Sequence, residues 1–214
     1  MGADSNTCNS EVLYKISMNI DHINLFPTTV GSVVDIETSK KTLPIARKIL
    51  DNSDNLTNTW QYKTTYSSSH SDIDTGHKDE NLLFIENYFV EHGNNFLKSL
   101  GYKPMNLQAD IFFSEMFEGD SHIKHEHANS ILSGIFYLQV PEGSSPIRFY
   151  DPRNHSKFLS LPVEEWTYTN WEYFNIQPTD GLLLVWPSWL SHEVSVNKSL
   201  EGRITCVFNL VKSV

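Results

Sequence analysis

The sequence predicts a mainly β protein, a sandwich or barrel of short strands with helices packed against it. Six stretches after residue 105 are rich in β-branched and aromatic residues, and residues that favour turns separate them. These stretches are residues 106–117, 131–140, 146–150, 171–176, 181–186 and 203–211. The clearest helical segment precedes them. A helix followed by a run of short strands is typical of a β-sandwich or barrel with a helical buttress.

Length and composition favour one domain over residues 1–214, because all-β domains commonly reach this size. Hydrophobic residues make up 39% of the chain, which is enough for a core. The formal charge is −10, and an acidic surface repels phosphate backbones, so no nucleic-acid partner is expected. Two cysteines, Cys8 and Cys206, are too few for a disulfide framework or a cysteine zinc site.

The N-terminal residues MGADSNTCNS contain neither a basic region nor an apolar core, so they are not a signal peptide. The longest apolar run, Leu182 to Trp186, is far shorter than the roughly 18 residues of a membrane helix. We therefore expect a soluble, cytoplasmic protein with no membrane partner.

The N-terminal third carries weaker signals. We expect residues 1–10 to be a loose tail and residues 12–36 to form two strands and a turn. Residues 40–50 predict a short helix with Pro44 in its first turn. Residues 51–80 are dominated by Asn, Ser, Asp and Thr, which predicts a long loop, either a lid or a disordered segment.

The strongest helical pattern covers residues 81–100, whose apolar residues recur on one face of a 3.6-residue period. These residues are Leu82, Ile85, Phe89, Phe96 and Leu100. Gly101 follows as a stop signal. In the last predicted strand, Ile204 and Phe208 belong to an apolar face. We expect the helix to pack on the outside of the sheet that contains this face.

Three of the nine histidines, His122, His125 and His127, fall within six residues. In an extended segment, residues two apart face the same way, so His125 and His127 can both point inward. Two imidazoles so placed can share a metal at about 2.1 Å from each nitrogen. His122 has the opposite parity and is left out. The alternative is an exposed polar edge, because His-x-His alone is a weak signal.

His192 lies among apolar and aromatic residues in the sequence WPSWLSHEVSVN, so it should be at least half buried. A buried histidine needs a partner, and a metal would be one. For this histidine alone, a bond to a backbone carbonyl is the simpler interpretation.

The position of Arg203 favours a metal partner for His192 over a backbone carbonyl. If residues 197–202 form a hairpin turn, His192 lies opposite Val207, and His192, Arg203 and Thr205 project to the same side. The axial offset between His192 and Arg203 is then about 13 Å at roughly 3.3 Å per residue. This gap suits a small dicarboxylate, with one end on a metal and the other in a bidentate pair with Arg203.

Four segments together resemble the 2-oxoglutarate and iron(II)-dependent oxygenases: HEHANSILSGIFYL, IRFYDPR, IQPTDGLLLVWPSWLSHEV and RITCVFNL. The resemblance is strongest to a small branch common among marine bacterial and phage sequences, and it spans roughly residues 106–211. It implies a double-stranded β-helix, or jelly roll, with residues 106–211 as the barrel core and buttressing N-terminal helices.

The resemblance also implies roles for single residues. His125 and His192 match the two metal-binding histidines, and Arg203 with Thr205 matches the pair that holds the distal carboxylate of 2-oxoglutarate. Tyr137 matches a residue that often touches the cosubstrate. Most of the family has His-x-Asp, whereas this chain has His127 at the position of the aspartate.

The leading hypothesis is therefore an Fe(II)- and 2-oxoglutarate-dependent dioxygenase that hydroxylates an unknown substrate, with His125, His127 and His192 as catalytic metal ligands. Three neutral imidazoles leave the metal more positive and make zinc or another divalent metal more plausible. The first alternative is a cupin-like three-histidine metalloenzyme that does not use 2-oxoglutarate. The second is a non-catalytic metal-binding jelly roll. Arg203 separates the leading hypothesis from the first alternative, because only a dicarboxylate cosubstrate needs it, and metal content tests the second.

Overall fold

The computed structural model describes residues 23, 25–52, 63–65, 80–153 and 161–213. The predicted tail, residues 1–10, and most of the predicted loop, residues 51–80, lie outside this part of the chain. None of the helices in the described part is long and apolar enough to cross a membrane.

The described elements are two helices and ten strands. In chain order they are β1 (Gly31–Val34), α1 (Ile36–Asn52), β2 (Lys63–Thr65), α2 (Glu80–Ser99), β3 (Leu107–Met116), β4 (His122–His125), β5 (Leu132–Gln139), β6 (Ile147–Tyr150), β7 (Tyr173–Ile176), β8 (Leu182–Pro187), β9 (His192–Val194) and β10 (Arg203–Lys212).

The strands form two antiparallel sheets. The large sheet has the order β1-β8-β5-β10-β3-β2, and the small sheet has the order β4-β9-β6-β7. Side chains from both sheets, among them Leu184 of β8 and Phe149 of β6, share one buried apolar cluster, so the sheets pack face to face. The mainly β prediction is confirmed, but the strands of residues 106–211 lie in two separate sheets and form no closed barrel within the described residues.

The helices cover the outer face of the large sheet, as predicted. Ile85 and Phe89 of α2 belong to the same buried cluster as Ile204 and Phe208 of β10. The rings of Phe89 and Phe208 stack with centroids 4.1 Å apart. Burial of this apolar stripe from both elements excludes water and is the main stabilising term of the layer.

The start of one helix differs from the expectation. Helix α2 begins and ends within one residue of the prediction. Helix α1 begins four residues earlier than predicted, at Ile36, so Pro44 lies inside the helix rather than in its first turn. The cause is an N-cap: the carboxylate of Asp35 accepts a hydrogen bond of 2.9 Å from the backbone N–H of Thr38.

The N-terminal strands also require correction. Within residues 12–36 the described part contains one strand, β1, and residue 36 already belongs to α1. Inside the predicted loop of residues 51–80, α1 continues to Asn52 and the short strand β2 pairs with β3. Both strands are short edge strands of the large sheet, and such short segments carry little sequence pattern.

Candidate active site

Three histidines converge between the two sheets. His125 ends β4 and His192 begins β9, and the two residues are directly paired in the small sheet. His127 lies two residues beyond the end of β4. The ligand nitrogens of all three lie within 4.8 Å of one another, and the Nε2 atoms of His127 and His192 are 3.3 Å apart.

The main chain orients two of the three rings. Nδ1 of His125 is 2.7 Å from the carbonyl oxygen of Ile123, and Nδ1 of His192 is 2.9 Å from that of Leu190. With the proton on Nδ1 and donated to the carbonyl, each Nε2 keeps a lone pair for a metal. The two interpretations of His192, carbonyl partner and metal ligand, are therefore compatible, because they use different ring nitrogens.

The third ring is positioned through its backbone. The N–H of His127 donates to the carbonyl oxygen of Ser188 over 3.0 Å. The hydroxyl of Ser188 is hydrogen-bonded at 2.8 Å to the hydroxyl of Ser133 on β5. Because both serines are buried, this chain fixes the loop after β4 to the large sheet.

Burial keeps these imidazoles neutral. Burial, with a smaller contribution from the neighbouring His125, lowers the pKa of His192 to about 3 and that of His127 to about 4. Burial also lowers the pKa of His125, although the bond to Ile123 opposes this effect. Neutral imidazole is the form that binds metals. Three such nitrogens fit a divalent transition metal such as iron, nickel or zinc.

No carboxylate belongs to this ligand group among the described residues. The nearest acid in sequence, Glu126, accepts a hydrogen bond of 2.8 Å from the hydroxyl of Ser191. This contact engages the Glu126 carboxylate with Ser191, which is not a residue of the ligand group.

Arg203 lies across the cavity from the histidines, at the start of β10. It is almost completely buried, at 1% exposure. Its Nη1 donates to the carbonyl oxygen of Ser145 over 3.1 Å, and its Nη2 to Sδ of Met116 over 2.6 Å. These contacts hold the guanidinium against the cavity wall. The wall is made by Phe112, Ser114, Met116, His122, His125, His127, Ile135, Ile147, Trp186, His192, Val194, Arg203, Thr205 and Val207.

The predicted hairpin between His192 and Arg203 is wrong. Strand β9 pairs with β4 and β6 in the small sheet, whereas β10 pairs with β3 and β5 in the large sheet. Val207 is therefore opposite Phe112 and Ile135, not opposite His192. Residues 195–202 cross from one sheet to the other. His192 and Arg203 nevertheless face the same cavity, as predicted, but they do so from opposite sheets.

Thr205 and Tyr137 lie close to this arginine. Thr205 also lines the cavity, and Tyr137 of β5 is paired with it across the strands. The guanidinium of Arg203 is 5.8 Å from the centroid of the Tyr137 ring, within cation–π range. Tyr137 is fully buried, its hydroxyl has no hydrogen-bond partner among the described residues, and burial raises its pKa to about 12.

His122 is the cavity residue that the parity argument missed. Its ring stacks on that of His125 with centroids 3.9 Å apart, and it lines the cavity without joining the ligand group. The pairing of β4 with β9 shifts register between His122 and His125. Such an irregularity adds a residue to one strand and re-aims side chains, so two residues three apart face the same side.

Residues 111–209, from β3 to β10, match the family model described as "Putative 2OG-Fe(II) oxygenase". No curated protein matches the chain. The family match covers every residue of the cavity wall.

Several solved structures share the fold. A Pseudomonas putida prolyl-4-hydroxylase matches with a TM-score of 0.61 and 13% identity, covering 87% of this chain and 94% of its own. The epimerase SnoN, in complex with Fe3+, alpha ketoglutarate and nogalamycin RO, matches with a TM-score of 0.60 and 13% identity, covering 86% and 79%. HygX from Streptomyces hygroscopicus, with nickel and 2-oxoglutarate bound, matches with a TM-score of 0.55 and 12% identity, covering 87% and 84%.

The family match, over residues 111–209, covers a little less than half of the chain, and the solved structures show the fold. The two sheets with their helical layer are the jelly roll of the oxygenase structures, as the resemblance implied. Family and fold together point to a 2OG-Fe(II) oxygenase, and the histidines of this chain can bind iron.

Proposed function

We propose that this protein is an Fe(II)- and 2-oxoglutarate-dependent dioxygenase that hydroxylates its substrate. The observation that carries the proposal is one cavity with two unlike ends: three neutral imidazole ligands on one side and a buried guanidinium on the other. A dicarboxylate with a 2-oxo group has complementary ends, since one chelates a metal and the other accepts two parallel N–H bonds from arginine.

Each residue has a distinct task in this proposal. His125, His127 and His192 hold the metal through ring nitrogens that are already neutral, so binding costs little proton release. Arg203, with the hydroxyl of Thr205 beside it, anchors the far carboxylate. The hydroxyl of Tyr137, which has no hydrogen-bond partner among the described residues, fits a dicarboxylate at this end, because an anion close to Arg203 offers an acceptor. Bound iron with 2-oxoglutarate supplies the oxidation of the substrate, coupled to oxidative decarboxylation of the cosubstrate.

The third histidine alters the charge of the site. A facial triad of two histidines and one carboxylate leaves Fe(II) with one net positive charge. Three neutral imidazoles leave it with two. Because the far carboxylate of a dianionic cosubstrate pairs with Arg203, only the metal-proximal carboxylate offsets the charge of the metal, and one positive charge remains. Unbalanced charge in a buried cavity is costly, so in charge this donor set fits 2-oxoglutarate less well than the carboxylate triad does.

The test combines binding with turnover. Purified protein loaded with Fe(II) is titrated with 2-oxoglutarate under anaerobic conditions by calorimetry, and succinate is then measured after oxygen and ascorbate are added. We expect saturable binding and formation of one succinate for each 2-oxoglutarate consumed. His192→Ala serves as the inactive control. Absence of 2-oxoglutarate binding by the iron-loaded wild type would overturn the proposal.

One observation favours a second candidate, a cupin-like three-histidine metalloenzyme that does not use 2-oxoglutarate. This observation is the lack of a carboxylate in the ligand group of the described residues. The candidate predicts that the metal binds tightly while 2-oxoglutarate gives no heat in the same titration. A chain that retains no metal at all would instead support a non-catalytic role.

We further propose that the protein acts in the cytoplasm on a small molecule or a protein rather than on nucleic acid. The formal charge of −10 supports the exclusion of nucleic acid as a substrate, because an acidic surface disfavours contact with phosphate backbones. A filter-binding assay with single- and double-stranded DNA and RNA at low salt tests it, and micromolar binding would contradict it.

A further inference from the structure

Trp186 of β8 has an indole N–H without a hydrogen-bond partner among the described residues. The side chain is 1% exposed, so water outside the protein cannot satisfy this donor. Buried indole N–H groups usually find an acceptor, and an unmet one carries a desolvation penalty. Trp186 also lines the cavity of the three histidines. The missing acceptor is therefore expected to enter with whatever the cavity binds.

The indole ring is held at the metal end of this cavity. It lies edge-to-face against the ring of His192, with centroids 4.9 Å apart and an interplanar angle of 69°. On another side it meets the ring of Phe149 at 5.1 Å and 73°. These contacts fix the place of the ring in the cavity wall. The indole thus lies beside a residue of the ligand group.

The other end of the cavity is provided with donors of a different kind. Arg203 reaches it from β10, and β5 separates β10 from β8 in the large sheet. Guanidinium and indole are both donor-only groups. A single ligand that satisfies both would therefore carry hydrogen-bond acceptors at its two ends, with one of them close to the metal.

We propose that the indole N–H of Trp186 binds the metal-proximal carboxylate of the cosubstrate. The site then binds both carboxylates of the ligand, one through Trp186 at the metal end and the other through Arg203 at the far end. This inference rests on the proposed function, because it names the residue that binds the near end of the same ligand. Trp186 acts as a binding residue through a single charge-assisted hydrogen bond.

The experiment compares two 2-oxo acids on Fe(II)-loaded protein by anaerobic calorimetry. 2-Oxoglutarate has both carboxylates, whereas pyruvate keeps only the metal-proximal one. Trp186→Phe removes the N–H and keeps an aromatic ring. We expect it to weaken both ligands by the same factor, about tenfold, which is typical for a hydrogen bond to a charged group. Arg203→Ala should weaken 2-oxoglutarate and leave pyruvate unchanged.

A matched control is available within the same segment. Trp189 is 56% exposed and lies outside the cavity wall, so Trp189→Phe makes the same chemical change away from the site. It should change neither affinity. Metal content and thermal unfolding of Trp186→Phe are measured alongside. If the smaller ring disturbs the metal, Trp186→3-benzothienylalanine keeps the shape of the indole without the N–H and decides the question.

The outcomes separate this inference from the proposed function. If the wild type binds pyruvate but not 2-oxoglutarate, the proposed function fails, and a tenfold loss of pyruvate affinity in Trp186→Phe still supports the inference. Affinities within twofold of wild type in the benzothienyl variant overturn it. A loss confined to 2-oxoglutarate also overturns it, because it would put Trp186 at the far end. If neither acid binds, both proposals fail.

Discussion

The two faces of strand β10 make opposite contributions to this protein. The outer face is apolar from Ile204 to Leu210 and packs under the helices through Ile204, Cys206, Phe208 and Leu210. The inner face carries Arg203, Thr205, Val207 and Asn209, of which the first three line the cavity. Alternation of side chains along a strand places these two sets on opposite sides of the same ten residues.

The difference separates stability from binding. The outer face gains free energy from apolar burial and contains nothing that a ligand could use. The inner face buries a guanidinium and a hydroxyl, which costs desolvation unless partners are supplied. Changes on the outer face should therefore lower stability and leave ligand affinity intact. Changes at the cavity should lower ligand affinity and leave stability nearly intact. The predictions below test this separation.

The largest expected effect lies on the outer face. Phe208→Ala removes a fully buried ring that stacks on Phe89, so we expect a loss of about 3–5 kcal/mol in the free energy of unfolding. Urea unfolding of the metal-free protein measures this loss. The folded fraction should bind metal with unchanged affinity. A large drop in metal affinity at low urea would contradict the separation of the two faces.

The second prediction concerns the metal ligands. His125→Ala or His192→Ala removes one of three converging nitrogens, and we expect metal affinity to fall by more than about a hundredfold, beyond the effect of losing a supporting group. Metal analysis after dialysis against a weak chelator measures it. His122→Ala is the control and should retain nearly all of the metal, because His122 lies outside the ligand group. Equal losses of metal affinity in all three variants would show that the metal site has been assigned to the wrong residues.

His127 permits a complementary change at the same site. His127→Asp restores the carboxylate found in most of the family, so we expect metal binding to persist and preference for iron over zinc to increase. Competition between the two metals, followed by elemental analysis, measures the preference. An unchanged ratio would show that residue 127 does not set the metal.

The third prediction concerns the inner face of β10. Arg203→Ala should weaken 2-oxoglutarate binding by roughly ten- to a hundredfold, the value of a charge-assisted bidentate pair. Arg203→Lys keeps the charge but loses the planar fork, so its affinity should lie between those of wild type and Arg203→Ala. Metal affinity should barely change, because Arg203 is not a ligand. Anaerobic calorimetry measures both, and wild-type affinity in Arg203→Ala would refute the assignment.

The last prediction is a pH dependence of stability in the metal-free protein. Burial lowers the pKa of His192 to about 3 and that of His127 to about 4, whereas an unfolded histidine titrates near 6.5. Between these values the unfolded chain binds more protons than the folded chain, so the free energy of unfolding falls as pH drops from about 6.5 to 4. Above pH 7 the histidines contribute no further change.

Urea midpoints at pH 5 and pH 7.5 test this sign. The wild type should be less stable at pH 5, and His192→Gln should show a smaller difference between the two pH values. Phe208→Leu, a change on the outer face, should keep the full difference. Greater stability of the wild type at pH 5 would contradict the prediction.

Much of the fold could be predicted because its signals are local. The 3.6-residue period located α2, and period-two alternation located the longer strands, including the inward parity of Arg203 and Thr205. The short strands β4 and β9, with four and three residues, carry too little pattern to detect. The N-cap at Asp35, in contrast, is a start signal that the sequence contains. Pro44, nine residues later, is a second start signal, and the predicted helix was placed by the proline.

The site was predicted through residue types more reliably than through geometry. A His-x-His pair and a histidine in an apolar stretch were recognisable as candidates without any knowledge of the sheets. The inclusion of His122 in the cavity wall was not, because it depends on an irregular pairing with β9. The indole of Trp186 beside His192 depends likewise on packing between residues from different sheets.

The sequence by itself determined which face of each long strand turns inward, because side-chain alternation follows from the backbone of a single strand. It also determined the chemical types at the site: imidazole, guanidinium and hydroxyl. Only the tertiary structure decided that β9 and β10 belong to different sheets. A turn-rich segment such as residues 197–202 can close a hairpin or cross between sheets, and the choice depends on which distant strands compete for the same backbone hydrogen bonds.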